Sequence, residues 1–350
     1  MSAVMIDSCK NYPRGRTLKA TRYAKVVATG AALPETIVTN QDIIDLYDLI
    51  ASDRAVQFSI GIYERRQASI SIPLAQYLYE AAKKCIDKSG IDPEKIDRIL
   101  YCRLFGDHAI PATSLRVLER LGLRRGIPCT DIAAACSGFM HATELAISSI
   151  NAGDDYVLIL AGERVSIHKK ATIAKDTRTV FLNGDGFVAM LLGRSEEQHF
   201  KCSYFYTDSD LSELAYIPFG TELLNKTRNF SNEIFNLCMP DGQKIHKSVL
   251  DSCKILSSKL LQLSGLSIEN IDFVITSDQT HFVWKDQIKL LGLSEDKSIS
   301  CFHKYGNTVA AMTPLNLNEA IETGALKRGM TVLMMAHGAG ASGGGFIFTY

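Results

Sequence analysis

An α/β fold assembled from two similar halves is what this sequence predicts, and three observations carry the prediction. Strand-like and helix-like patterns alternate along the chain, which argues for an α/β architecture. The segment "SGIDPEKIDRIL" (89–100) returns as "SGLSIENIDFVI" (264–275), and "YVLILAG" (156–162) returns as "TVLMMAH" (331–337) at nearly the same offset. With 350 residues, the chain is longer than one hydrophobic core usually supports, so two core units or one fused double unit are expected.

In chain order, the start "MSAVMIDSCKNYPRGRTLKATRY" reads as a short polar arm, without the apolar run a secretory leader carries between its charges. Each copy of the repeat then has a Ser-Gly turn before its strand. Each buried strand of the second pair follows a helix-like stretch ending in glycine, "AISSINAGDD" and "AIETGALKRGM". The β-rich runs carry few charges, as strands covered on both faces do. "PCTDIAAAC" reads as a strand dense in small residues, and Phe139, Met140, Leu145, Ile147 and Ile150 follow at roughly helical spacing. Charge interrupts the apolar run "FVAMLLG" at "LLGRSEEQHFK", placing a boundary near residue 195. The halves 1–195 and 196–350 have no flexible linker between them and are expected to pack as one body.

Lysine plus arginine and aspartate plus glutamate both number 38, so the formal charge is zero and gives no electrostatic case for nucleic acid or an anionic membrane. No apolar run approaches the ~20 residues that span a bilayer. The nine cysteines, at 9, 85, 102, 129, 136, 202, 238, 253 and 301, are scattered and form no Cys-x-x-Cys pair, so a zinc or thioredoxin-type site has no support. Several sit in apolar segments, where a reduced thiol packs as a small hydrophobe, and a reducing cytoplasm fits best. Cys136 stands apart, at a strand-to-helix turn where unpaired N–H groups and the helix dipole favour a thiolate. The alanines before it and Gly138 after it leave room for a substrate. On these residues alone it is either a nucleophile or a buried cysteine in a tight turn.

"DIAAACSGF" resembles the nucleophile motif of the β-ketoacyl-ACP synthase III family of the thiolase superfamily, and the resemblance runs nearly end to end. "AKVVATGAALPETIVTNQDI" (24–43) is similar to the family's opening strand and Leu-Pro turn, and "GIYERR" (61–66) to its Gly-Ile-x-x-Arg segment. "DHAIPAT" (107–113) resembles the loop that reaches the partner's acyl pocket across a dimer interface. "TVFLNGDGFVAMLLG" (179–193) resembles the Gly-Asp-Gly segment, "KYGNTVAAMTPLNLNEAIETG" (304–324) the Gly-Asn-Thr motif, and "AHGAGASGGG" (336–345) the C-terminal glycine turn. The resemblance implies a thiolase-like fold, two α/β halves in five α-β-α-β-α layers. It implies that Cys136 takes an acyl group from a thioester of CoA or acyl carrier protein, with no tightly bound cofactor and no metal. The N–H groups of Cys136 and Ala339 would hold the tetrahedral oxyanion, and a histidine and Asn307 would hold the oxygen of a decarboxylating malonyl thioester. Turn chemistry is the alternative reading of Gly-Asn-Thr taken alone.

The histidine is displaced. Counting back from "KLLGL", its position falls on Ser277, or on Asp278 with a one-residue shift. His281, further along "ITSDQTHFVW", and His337 in "MMAHGAG" are the candidate replacements; the alternative for each is a packed or surface histidine. Where CoA-using members carry an adenine-stacking tryptophan this chain reads "SDRAV", with Ala55, and Arg178 in "DTRT" is the remaining candidate to meet the adenine. That favours delivery by a carrier protein, which the basic run "ERLGLRRG" (119–126) could meet if it is not simply a solvated helix end. Ile110, Met140 and Ile245 are expected to set pocket depth. Decarboxylative condensation in fatty-acid-like or specialised metabolism is the leading expectation. Acyl transfer to an oxygen, nitrogen or other carbon nucleophile is the alternative, and an accessory subunit of a heterodimeric ketosynthase is a third. The assembly expected is a homodimer or a heterodimer with a ketosynthase-like subunit.

Overall fold

The computed structural model describes residues 22–123, 126–166, 179–220 and 237–350. The first half contains β1 (Tyr23–Ala32), β2 (Thr36–Thr39), α1 (Asn40–Tyr47), α2 (Asp53–Ile60), β3 (Glu64–Gln67), α3 (Leu74–Ser89) and β4 (Arg98–Cys102). It continues through α4 (Thr113–Leu121), β5 (Cys129–Ile132), α5 (Gly138–Asn151), β6 (Tyr156–Glu163), α6 (Thr179–Leu182) and β7 (Gly186–Ser195). The second half contains β8 (Phe200–Thr207), α7 (Gly242–Ser264), β9 (Phe273–Ile275), α8 (His281–Leu290), α9 (Phe302–Tyr305), α10 (Met312–Glu322), β10 (Thr331–Gly338) and β11 (Ser342–Thr349).

The sheet orders β1-β7-β6-β4-β5 and β8-β11-β10-β9 repeat one topology. In the first, β4 runs parallel to β6, and β7 is antiparallel to both β6 and β1. In the second, β9 runs parallel to β10, and β11 is antiparallel to both β10 and β8. The strands that carry the sequence echoes therefore occupy matching places.

Strand alternation builds the layers. Leu158, Leu160 and Leu191 face α3 on the outer side of the first sheet, while Ile159, Met190 and Leu192 face inward. In the second sheet Leu333, Met335 and Ile347 face α7 and α8, while Val332, Met334, Ala336 and Phe346 face inward. Helices α5 and α10 fill the space between the sheets, giving five layers of α-β-α-β-α. The thiolase-like α/β architecture expected from the sequence is the one observed. Met140, expected at the pocket, is instead sealed in this central core, because its place on α5 turns it between the sheets.

Close approach explains two local choices. A Cβ on Gly30 would lie 2.4 Å from the Cys85 nitrogen, so α3 can cross β1 at that distance only over glycine. The α3 helix has no side-chain cap of its own, and the Asp107 carboxylate accepts the N–H groups of Leu74 (2.8 Å) and Ala75 (3.1 Å) in its place. Arg65, in the "GIYERR" segment, is fully buried and donates to the Val38 and Phe181 carbonyls and to Asn40 Oδ1, tying the β2–α1 excursion to α6.

Candidate active site

Cys136 occupies a tight turn, Ala135–Ser137, between β5 and the first residue of α5. Ala135 has φ 45°, a left-handed conformation that costs a residue with a Cβ and is held by its surroundings. The end of β10 closes on this turn. A Cβ on Gly338 would lie 2.8 Å from the Ser137 nitrogen, so glycine there is what lets the strand end come so near. The N–H groups of Cys136 itself and of Ala339 both hydrogen-bond the sulfur. Burial pushes the Cys136 thiol up to about 11, and those two N–H groups pull against the rise.

The sulfur opens on a cavity of about 330 Å3 whose walls include Leu104, Phe105, Val165, Leu214, Ile217 and Ile245. Asn307 reaches the same cavity. Its Oδ1 accepts the Val309 N–H at 2.8 Å, which leaves Nδ2 as the end turned to the cavity. The segment around it presses against the Gly-Asp-Gly segment: the Asn307 N–H donates to the Leu182 carbonyl at 2.7 Å, and Asn183 and Asn307 form a parallel bridge. Gly184 and Gly306 make that approach feasible, since a Cβ on Gly184 would lie 2.0 Å from the Tyr305 oxygen and one on Gly306 2.7 Å from the Leu182 oxygen.

Asp185 pins this arrangement from behind. Fully buried, it accepts the N–H of Ala68 (2.7 Å), the N–H of Ser166 (2.8 Å) and the Ser166 hydroxyl (2.6 Å). Asp185→Ala would strand those donors, and we expect stability to fall by about 3–5 kcal/mol, read from urea unfolding.

His337 is 9% exposed and lines the same cavity as Cys136. Alternation along β10 sends Ala336 inward and His337 to the α7 side, where Nε2 lies 3.2 Å from Ser248 Oγ. The Ser248 hydroxyl also lies 2.8 Å from the Ile245 carbonyl, and Nδ1 is left without a partner. Burial pulls the imidazole down to about 4.

The His281 expectation needs correction. Thr280 caps α8 by accepting the Val283 N–H, and the first helical turn carries His281 away from the cavity to pack against Gly61 and Trp284. Ser277 and Asp278 also miss the cavity wall. Ser277 Oγ accepts the His337 N–H at 3.1 Å, and Asp278 points to α10, accepting from Asn316 Nδ2 and Thr276 Oγ1, each at 2.7 Å. Both are buried by β9's exit from the sheet, so neither can serve as a substrate contact here. Gln279 is the residue of this segment that does line the cavity. Asn183, Ser248 and Gln279 were missed by the sequence reading; the only signal for Gln279 was its register in the displaced histidine motif.

Burial pushes the Asp278 carboxyl up to about 7. In the unfolded chain it ionises near pH ~3.9. Between those values the folded state binds the extra proton, so stability falls as pH rises, by up to about 1.4 kcal/mol per unit. We expect Asp278→Asn to remove that slope in urea midpoints measured from about pH 4 to about pH 8.

Ile245 lines the cavity, whereas Ile110 is 86% exposed and does not reach the cavity of its own chain. Arg178, Arg124 and Arg125 lie outside the described residues. Among the described residues no group of three His, Cys, Asp or Glu side chains could hold a metal ion, and no helix is long and apolar enough to cross a membrane.

Comparison with known proteins places these features. Residues 130–210 match the family model described as 3-oxoacyl-[acyl-carrier-protein (ACP)] synthase III, and residues 261–350 match the model of its C-terminal part. The chain is 30% identical over 326 residues to β-ketoacyl-[acyl-carrier-protein] synthase III 1 of Vibrio parahaemolyticus, covering 92% of this chain and 98% of that one. It is 29% identical over 323 residues to the synthase III of an Enterobacter species, with the same coverage. The crystal structure of the synthase III from Aquifex aeolicus superposes with a TM-score of 0.81 at 29% identity, covering 93% of this chain and all of that one. The priming β-ketosynthase of the R1128 polyketide pathway shares the fold, with a TM-score of 0.85 at 22% identity over 96% of this chain and 98% of that one.

Proposed function

We propose a function from one premise: this chain belongs to the 3-oxoacyl-[acyl-carrier-protein] synthase III family. The reading is a condensing acyltransferase that primes a fatty-acid-like, polyketide or other specialised pathway. Its acyl group is carried on Cys136 and its second substrate is a malonyl- or β-ketoacyl-type thioester. One observation carries it: a cysteine at a helix N-terminus opens on an apolar cavity, with two backbone N–H groups on its sulfur and a carboxamide in the same wall.

In the first half-reaction the Cys136 thiolate attacks the thioester carbonyl. The N–H groups of Cys136 and Ala339 take the developing oxyanion, and the carrier thiolate leaves with the proton lost by Cys136. The apolar wall around Phe105 and Ile245 receives the acyl chain. In the second, the malonyl thioester loses carbon dioxide. The resulting carbanion attacks the acyl-Cys136 carbonyl, Cys136 leaves as thiolate, and a 3-oxoacyl thioester departs.

Ala55 is exposed on α2 and offers no ring to stack on adenine, which supports a carrier protein as the acyl donor. The exposure of Ile110 on its loop supports a dimer in which that residue meets the partner's pocket. Retention of Cys136 in a formed cavity argues against a purely accessory subunit in a heterodimer. A reducing cytoplasm is the setting that suits its unpaired thiols.

A second reading, acyl transfer to an oxygen or nitrogen nucleophile, is favoured by Ser277 standing where the family has its histidine, its hydroxyl committed to the His337 backbone. Intact-mass measurement after incubation with acyl-CoA or acyl-carrier protein, followed by malonyl-carrier protein, separates the two. Acylation followed by carbon dioxide release and a 3-oxoacyl product supports condensation. Acylation with no decarboxylation overturns it in favour of the second reading.

A further inference from the structure

We propose that Asn183 is a catalytic residue of the second half-reaction: its carboxamide, beside that of Asn307, supplies the second N–H donor to the enolate oxygen. The inference rests on the condensing reading above. His281 packs outside the cavity, and His337 sits on the α7 side of β10 with Nε2 paired to Ser248, whereas Asn183 stands directly beside Asn307.

The geometry comes from the backbone. Asn183 and Asn307 are partners in an isolated parallel bridge, so their side chains leave adjoining backbone segments about 4.8 Å apart on one face. Both carboxamides line the cavity that holds Cys136. Asn183 is 7% exposed, and its carboxamide makes no hydrogen bond among the described residues while its polar atoms stay accessible, not sealed in the protein. A donor kept open in a nearly closed wall is what a ligand oxygen requires. Gly184 and Gly306, the two positions where a Cβ would force the segments apart, hold the pair together.

Decarboxylation makes no demand for a titrating group. The bond between the carboxylate carbon and C2 breaks, the carboxylate departs as carbon dioxide, and the bond's electron pair passes to C2 and onto the thioester oxygen. No proton is transferred, so two neutral N–H donors aimed at that oxygen suffice to stabilise its charge.

The test loads the acyl group on Cys136 of the parent and of Asn183→Leu and Asn183→Asp, adds malonyl-carrier protein, and follows carbon dioxide in a single turnover. Asn183→Asp keeps the side chain's size and removes its N–H donors, guarding against a packing defect. Both variants are expected to lose about 10²–10³-fold in carbon dioxide release, with the loss confined to the second half-reaction. The second readout is the infrared stretch of a 13C-labelled malonyl thioester carbonyl bound to Cys136→Ala. It is expected to sit below its free value and to rise towards it when Asn183→Asp is added. Parent-like release from Asn183→Asp, or a carbonyl stretch that it leaves unmoved, overturns the proposal. If the parent itself releases no carbon dioxide, the condensing reading fails, and the carbonyl stretch alone decides whether Asn183 is the donor.

Discussion

Cys136→Ala is expected to abolish acyl transfer, lowering turnover by about 10⁴-fold or more and removing the acyl mass increment from the protein. On the proposed mechanism the size follows from two steps joined only by the thioester on this sulfur. No other described cysteine lines the cavity, the partly exposed Cys129, Cys202 and Cys238 included. Cys85 and Cys253 are sealed in the core with thiols that burial pushes up to about 12, and Cys102 and Cys301 are pushed higher still. None of them lines the cavity, so an acyl-CoA or acyl-carrier thioester cannot reach them. Intact-mass spectra of the parent and variant after incubation with acyl donor check this. A persistent acyl adduct in Cys136→Ala would remove Cys136 from the mechanism.

The fold was legible because its signals are local and repeated. The Ser-Gly turn leading to β4 and to β9, and the apolar runs of β6 and β10, are short patterns whose period the backbone dictates. The turn at Cys136 was legible through the resemblance of "DIAAACSGF" to a known motif, since its alanines, cysteine and glycine alone fit a buried cysteine as well.

The rest of the site was hidden because it depends on which way individual side chains leave their strands. A histidine near the end of β10 reads as a neighbour of the cysteine, but one step of alternation sends it across the sheet to Ser248. Asp278 and Gln279 are adjacent in sequence and diverge completely, one into the α10 interface and one into the cavity wall. Asn183 carries no motif of its own. Only the crossing of two glycine-flanked segments, far apart in sequence, shows that it stands beside Asn307.

The rate at which Cys136 is acylated is expected to climb about tenfold per pH unit from about pH 6 to about pH 9, roughly 10³-fold overall, without a plateau. Burial holds the thiol at about 11, so the thiolate fraction is still growing across that whole interval. The other imidazole that could intervene is silent there. Burial pulls His337 down to about 4, so it is already neutral at pH 6 and gives no cation to stabilise the thiolate. The two N–H groups on the sulfur stabilise it at every pH and therefore set the height of the curve but not its slope. Decarboxylation in the second half-reaction moves no proton within the cavity, and its single-turnover rate on acylated protein is expected to stay flat over the same range. Rapid-quench mass measurements of each half-reaction separate the two profiles. An acylation rate that levels off near neutral pH would mean that some group in the cavity takes the thiol proton, and His337, with its free Nδ1, would be the first to replace.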